Sequence, residues 1–199
     1  MSTVKLGVLG STKGTDLQAI IDAIAGGRLD ASVEVVLSNR KKAYILERAR
    51  NHGIENVFIN HKGKEREQFD REMTELLESK GVELILLIGF MRILSPWFCL
   101  HWKSQILNVH PSLLPKYAGG MDMNVHEEVL KNNETETGCT IHIVTAEVDA
   151  GPIVVQKKCA VEADDTPETV KTKVQALEGD AFLEAIKIFQ NNEGPWSNQ

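Results

Sequence analysis

Short apolar runs alternate with helix-patterned stretches through the first half of this chain, and that alternation leaves few folds open. The runs are residues 4–9, 33–37, 57–59 and 83–88, and the last, the most hydrophobic, suits a central strand buried on both faces. Between the first two, Leu17, Ile20, Ile21 and Ile24 recur at helical spacing until Gly26-Gly27 stops the helix. A second helix is predicted over 44–51, and a charged one over 65–80 turns Phe69, Met73, Leu76 and Leu77 inward. The pattern predicts an α/β fold, a Rossmann-like, mostly parallel sheet flanked by helices. Beyond residue 89, Ser95-Pro96 reads as an N-cap with proline at the first helical position, ahead of a strand over 105–109. The strands at 139–144 and 153–157 lie too close for a crossover helix, so they should form an antiparallel hairpin. Thr166-Pro167-Glu168 then opens a long C-terminal helix, which fades into a polar tail at 191–199. With no linker or repeat in 199 residues, the chain reads as one domain with two functional halves, about 1–100 and about 101–190.

Charge narrows the partners. A formal net charge of −6 argues against a nucleic-acid surface held by bulk electrostatics, although a local nest of N–H groups still suits a small anion. The cysteines, Cys99, Cys139 and Cys159, are odd in number and lack a CxxC, which disfavours a disulfide framework or a zinc site and suits a reducing cytoplasm. No signal-peptide pattern opens the chain, and the most apolar window, 84–90, is too short to span a bilayer. These features predict a soluble cytoplasmic protein without a membrane partner.

Chemistry concentrates in Asn108-Val109-His110-Pro111-Ser112-Leu113-Leu114-Pro115-Lys116-Tyr117-Ala118-Gly119-Gly120. At the end of an extended run, Asn108 and His110 share one face. An imidazole can carry a proton and a carboxamide can donate to an oxyanion, yet both could equally satisfy loop backbone groups. Asp149, in Val148-Asp149-Ala150-Gly151-Pro152, reads either as a turn residue or as a carboxylate that favours the imidazolium form of His110. No serine or cysteine is placed as a nucleophile. Gly14, Thr15 and Asp16, after the first strand, are either a phosphate cradle or an ordinary βα turn capped by Thr15 or Asp16. Asp16 counts against phosphate unless its side chain turns away. Met91, Arg92, Ile93 and Leu94 follow the central strand, at the sheet edge where ligands sit. The remaining histidines show no metal-ligand spacing, so no metal site is expected; His142, on the strand before Asp149, could line the same cleft but reads chiefly as a sheet-face residue.

Taken together, the Asn-Val-His-Pro-Ser-Leu-Leu-Pro-Lys-Tyr-Ala-Gly motif, Gly-Phe-Met-Arg-Ile-Leu-Ser-Pro upstream and Val-Asp-Ala-Gly-Pro downstream resemble the folate-dependent phosphoribosylglycinamide formyltransferases, over nearly the whole chain. The resemblance implies transfer of a formyl group from 10-formyltetrahydrofolate, as co-substrate, to the glycyl amine of phosphoribosylglycinamide (GAR) in purine synthesis. It implies a nucleotide-holding first half and a folate-holding second half, in a monomer or homodimer. By motif match, His110 is the acid/base, Asn108 binds the formyl oxygen and Asp149 tunes His110. Gly14, Thr15, Asp16 and Glu178 fall to GAR; Arg66 and Met91, Arg92, Ile93 and Leu94, with Asn108, fall to the folate. The first loop, Gly-Ser-Thr-Lys-Gly-Thr-Asp, departs from the Ser-Gly-Asn-Gly-Ser-Asn of many relatives, and backbone donation survives that change. No role is carried onto 121–126, where the segment differs in length from some relatives. Among other readings, a tRNA formyltransferase should carry a further C-terminal domain and a formyl-folate hydrolase an N-terminal one. A dinucleotide oxidoreductase needs a glycine fingerprint that is missing, and a non-catalytic binding module does not need the Asn108, His110 and Asp149 set.

Overall fold

The computed structural model describes residues 3–120 and 123–197. Met121 and Asp122, in the segment to which no role was carried, and the last two residues of the predicted tail lie outside the described residues. The chain runs β1 (Val4–Gly10), α1 (Thr15–Ala25), β2 (Ala31–Ser38), α2 (Tyr44–Asn51), β3 (Asn56–Phe58), α3 (Arg66–Ser79), β4 (Leu84–Ile88), α4 (Pro96–His101), β5 (Ile106–His110), α5 (Met123–Lys131), β6 (Glu136–Ile143), β7 (Ile153–Ala160) and α6 (Pro167–Gln190). The strand order is β3-β2-β1-β4-β5-β6-β7; β3, β2, β1, β4 and β5 pair in parallel, and β6 and β7 pair antiparallel. This is the α/β fold expected, hairpin and long C-terminal helix included. Two compact units are distinguished, Met1–Asn108 with Val144–Ala146 and Val109–Ile143 with Glu147–Gln199, a division later than the one near residue 100 that the sequence suggested.

In the first unit β1 pairs with β2 on one side and β4 on the other, all parallel. The strand order therefore reverses between β1 and β4, which opens a crevice beyond their C-terminal ends. The β1–α1 loop and the 89–94 segment leave the sheet at that place. They are tied together there: Ser11 N donates to Gly89 O at 3.0 Å and Met91 N to Ser11 Oγ at 2.9 Å. Beneath them Leu9, Leu37, Ile85 and Leu87 pack with Phe69, Met73 and Leu77 of α3 and with Phe98 and Trp102. Ser95 caps α4 as expected, its Oγ accepting from Phe98 N at 3.2 Å.

In the second unit α6 packs on β6 and β7, and α5 packs on α6. A reciprocal capping box of Thr166 and Thr169 starts α6, with Pro167 in its first turn. The tail departs from its polar expectation at one residue. Trp196 lies in a 3₁₀ turn, Gly194–Trp196, and its buried ring meets Phe189 edge-on at 5.2 Å. No helix among the described residues is long and apolar enough to cross a membrane.

Gly138 shows how tightly the hairpin is built. A Cβ there would stand 1.8 Å from the Lys157 carbonyl oxygen, which is backbone and cannot move aside cheaply. Gly138→Ala is expected to cost about 3 kcal/mol, read as a lower midpoint in urea unfolding at unchanged slope. An unchanged midpoint would contradict this packing.

Candidate active site

β5 delivers Asn108 and His110 two residues apart on one strand, Asn108 in register with Leu87 of β4. The loop after His110 is held by side chains of the hairpin. Thr140 Oγ1 donates to Ser112 O at 2.7 Å and accepts from Leu114 N at 3.0 Å. Gln156 Nε2 donates to Leu114 O and to Thr140 Oγ1, both at 2.9 Å. The Ser112 hydroxyl donates to Lys116 O at 2.7 Å and is wholly buried, so it is a structural donor and no nucleophile.

His110 is 3% exposed, and both its ring nitrogens face acceptors. Nδ1 lies 3.2 Å from Asp149 Oδ2, and Nε2 lies 3.0 Å from the carbonyl oxygen of Tyr117. Only the protonated ring can donate to both at once. The other Asp149 oxygen, Oδ1, lies 3.5 Å from Nε2 of His142, whose Nδ1 lies 3.1 Å from Ile143 O. A third donor, Gly119 N, reaches Asp149 Oδ2 at 2.8 Å. Burial alone would push the Asp149 carboxyl up; the bonds from His110, His142 and Gly119 outweigh it and hold the group well below the usual carboxylate range. Asp149 therefore stays an anion between two imidazoles. It is more than the turn residue its sequence neighbours suggest.

Both partners of the His110 ring sit on left-handed backbone, Tyr117 at φ 61° and Asp149 at φ 53°. Such geometry is costly for residues other than glycine and is tolerated where the surroundings over-determine it. At Tyr117 the surroundings include a bond from its hydroxyl to Glu134 at 3.0 Å and one from Asn132 Nδ2 to that hydroxyl at 3.0 Å.

In the first unit, α1 starts without a side-chain cap. Its N-cap is Gly14, left-handed at φ 66°, so neither Thr15 nor Asp16 plays the capping part that an ordinary turn would give them. A Cβ on Gly14 would come within 2.4 Å of Ile45 Cγ1. The uncapped N–H groups of α1 remain available to an anion. Asp16, 6% exposed, is pushed up to about 7 by burial. Below that pH its side chain is neutral, which removes the repulsion that counted against phosphate here.

Arg92 and Arg66 lie in the same unit, near Asp70 of α3. Asp70 Oδ2 accepts from Ser95 N at 2.6 Å; burial pushes its carboxyl up, against Ser95 and the charges of Arg92 and Arg66. The Arg92 guanidinium stands 4.8 Å over the Phe69 ring, and its buried Nε has no hydrogen-bond partner among the described residues. Met91 and Ile93 are exposed, and Leu94 is buried in the core. Glu178 is buried on α6.

The structure thus brings His110 and Asp149 together in the second unit. It gathers Gly14, Thr15 and Asp16 at one loop of the first, and Arg66, Arg92 and Leu94 near Phe69 and Asp70. The residues expected to take folate by 66 and 91–94 belong to the first unit, and Glu178, expected at GAR, to the second. His142 was underrated by its sequence signal, since alternation along a strand marks a buried face without saying what it touches. Among the described residues no cluster of His, Cys, Asp and Glu could hold a metal.

Residues 4–186 match the formyl transferase family. The phosphoribosylglycinamide formyltransferase of Escherichia coli (strain K12) is 41% identical over 183 residues, covering 92% of this chain and 85% of that protein. The trifunctional purine biosynthetic protein adenosine-3 of Homo sapiens is 38% identical over 185 residues, 92% of this chain but 18% of that protein. Among solved structures, glycinamide ribonucleotide transformylase 1 from Symbiobacterium toebii superposes with a TM-score of 0.91 at 38% identity, covering 96% of this chain and 89% of that one.

The Asp16 carboxyl makes stability fall with pH. Between the ordinary value of 3.8 and about 7 the folded chain holds a proton that the unfolded chain has lost, so folding weakens as pH rises through that window. Asp16→Asn is expected to raise stability at pH 8 by up to about 4 kcal/mol and to leave it nearly unchanged at pH 4. Urea midpoints at the two pH values check this; an equal effect at both would contradict the assignment.

Proposed function

The chain belongs to the formyl transferase family and, within it, to the phosphoribosylglycinamide formyltransferases, and from that premise we propose how its own residues carry the reaction. The enzyme transfers the formyl group of 10-formyltetrahydrofolate to the glycyl amine of GAR, giving formyl-GAR and tetrahydrofolate in purine biosynthesis. The uncharged amine attacks the formyl carbon, and negative charge builds on the formyl oxygen. His110, as imidazolium, and the Asn108 amide donate to that oxygen. The observation that carries this reading is the paired ring of His110, anchored at Nδ1 by Asp149. Its Nε2 then faces the reaction, and the Tyr117 carbonyl accepts the bond that the developing oxyanion takes over.

The imidazolium gives its Nε2 proton to N10 of the departing folate, and the neutral ring, or water, then takes the proton that leaves the attacking nitrogen. Asp149 need not accept that proton; holding the imidazolium in position is its part. The uncapped start of α1 at Gly14, Thr15 and Asp16 takes the GAR phosphate through backbone N–H groups, and Glu178 takes the ribose. Arg66, Met91, Arg92, Ile93 and Leu94 hold the folate, with Asn108 at its formyl end. The unpartnered Nε of Arg92 fits that part, being a buried donor that lacks an acceptor. No metal has a step in this chemistry.

The two units are read as parts of one formyltransferase domain, the first carrying the phosphate loop with Arg66 and 91–94 and the second His110, Asp149 and Glu178, working as a monomer or homodimer on small molecules, with neither nucleic acid nor membrane as partner. A reducing cytoplasm suits its three free cysteines.

His110→Ala and Asp149→Asn are each expected to lower formyl-GAR turnover by roughly 10²–10³, with much smaller changes in the binding of GAR and folate. Steady-state rates and titrations on the same preparations measure both. Retained turnover in either variant overturns its role, and release of formate without any need for GAR overturns the acceptor.

A further inference from the structure

The β1–α1 and β2–α2 connections border an open, shallow cleft of about 360 Å³ lined by Ser11, Thr12, Lys13, Arg40, Lys42 and Tyr44. That volume lies within the range of small-molecule sites. The cleft opens beyond the C-terminal ends of β1 and β2, the edge at which parallel sheets take ligands. None of its lining residues belongs to the set assigned above to GAR or folate.

Hydrogen bonds tie its walls together. Ile45 N donates to Thr12 O at 3.1 Å and Arg48 Nε to Lys13 O at 3.3 Å, which ties the first loop to α2. Ser38 Oγ accepts from Arg40 N at 3.1 Å and donates to Arg40 O at 3.2 Å, which sets the second loop. The turn is closed further by Ala43 N donating to Arg40 O at 3.0 Å.

The charge in the cleft is one-sided. Elsewhere in this unit Lys64 sits against Glu72, Arg71 against Glu67 and Lys80 against Glu55. Among the described residues Lys13, Arg40, Lys41 and Lys42 form no such pair, in a chain with 28 Asp and Glu against 22 Lys and Arg. The nearby Glu47 is already engaged by Arg50 at 3.3 Å. Like charges gathered on two rigid loops repel, and an anion between them relieves that repulsion. Beside the cations stands Tyr44, 52% exposed, with the Arg48 guanidinium 5.3 Å from its ring centroid. A flat aromatic ring next to a knot of cations matches a ligand with a flat base at one end and phosphate at the other.

We propose that this cleft is a nucleotide site, with the phosphate on Lys13, Arg40 and Lys42 and the base against Tyr44. Because the cations are exposed, binding weakens as salt rises.

Calorimetric titration of the full chain with adenosine 5′-monophosphate, ribose 5-phosphate and inorganic phosphate tests it, alongside Lys42→Ala and Tyr44→Ala, whose exposed positions leave the core intact. Adenosine 5′-monophosphate should bind at least about tenfold more tightly than the two base-free probes, and each variant should weaken it by about tenfold. The melting temperature of each variant should match that of the parent chain. No binding at millimolar nucleotide, equal affinity for inorganic phosphate, or nucleotide binding that both variants leave intact would overturn the proposal.

Discussion

The Asp149 carboxylate is shared between two buried imidazoles, one oxygen 3.2 Å from His110 Nδ1 and the other 3.5 Å from His142 Nε2. Its side chain is only 11% exposed, so water contributes little to its solvation and the protein has to supply the donors. Gly119 N supplies a third. A buried anion satisfied in this way stays ionised, and it holds Nδ1 of His110 while Nε2 faces the Tyr117 carbonyl. Removing one partner from such a set leaves an uncompensated charge, which is the costly outcome for any buried pair. The rest of the His110 loop can be understood as what holds this arrangement still. Thr140 and Gln156 clamp 112–114, and Tyr117 and Asp149 accept left-handed backbone so that their oxygens meet the ring.

The first unit solves a different problem with the same economy. Reversal of strand order between β1 and β4 opens a crevice, and the two loops that leave the sheet there are bonded to each other through Ser11. Gly14 starts α1 without a side-chain cap, so the helix keeps its N–H groups for an anion. A carboxylate at the next turn would spoil such a site. Burial offsets this by pushing Asp16 up to about 7, so that below that pH the carboxyl is neutral.

Much of this could be read from the residues. The strands announced themselves by short apolar runs, the hairpin by the eight-odd residues between its strands, and the helix starts at Ser95 and Thr166 by side-chain oxygens ahead of proline. The partnership of His110 and Asp149 was open on spacing alone, because residues so distant in sequence carry no period that links them. For His142 the sequence left two readings open, since a histidine on a buried strand looks the same whether or not it meets a carboxylate. Left-handed backbone has no sequence signature at Tyr117 and only a weak one at Asp149, Asp being among the residues that tolerate it. Trp196, set among polar neighbours, read as tail, and only its packing on Phe189 explains it.

The central claim is that Asp149 acts through His110, and a double-mutant cycle on turnover tests it most directly. If the two residues work as a unit, the variant carrying both His110→Ala and Asp149→Asn should be no slower than His110→Ala alone, within about threefold. Losses that multiply, so that the double variant falls by the product of the two single effects, would contradict it.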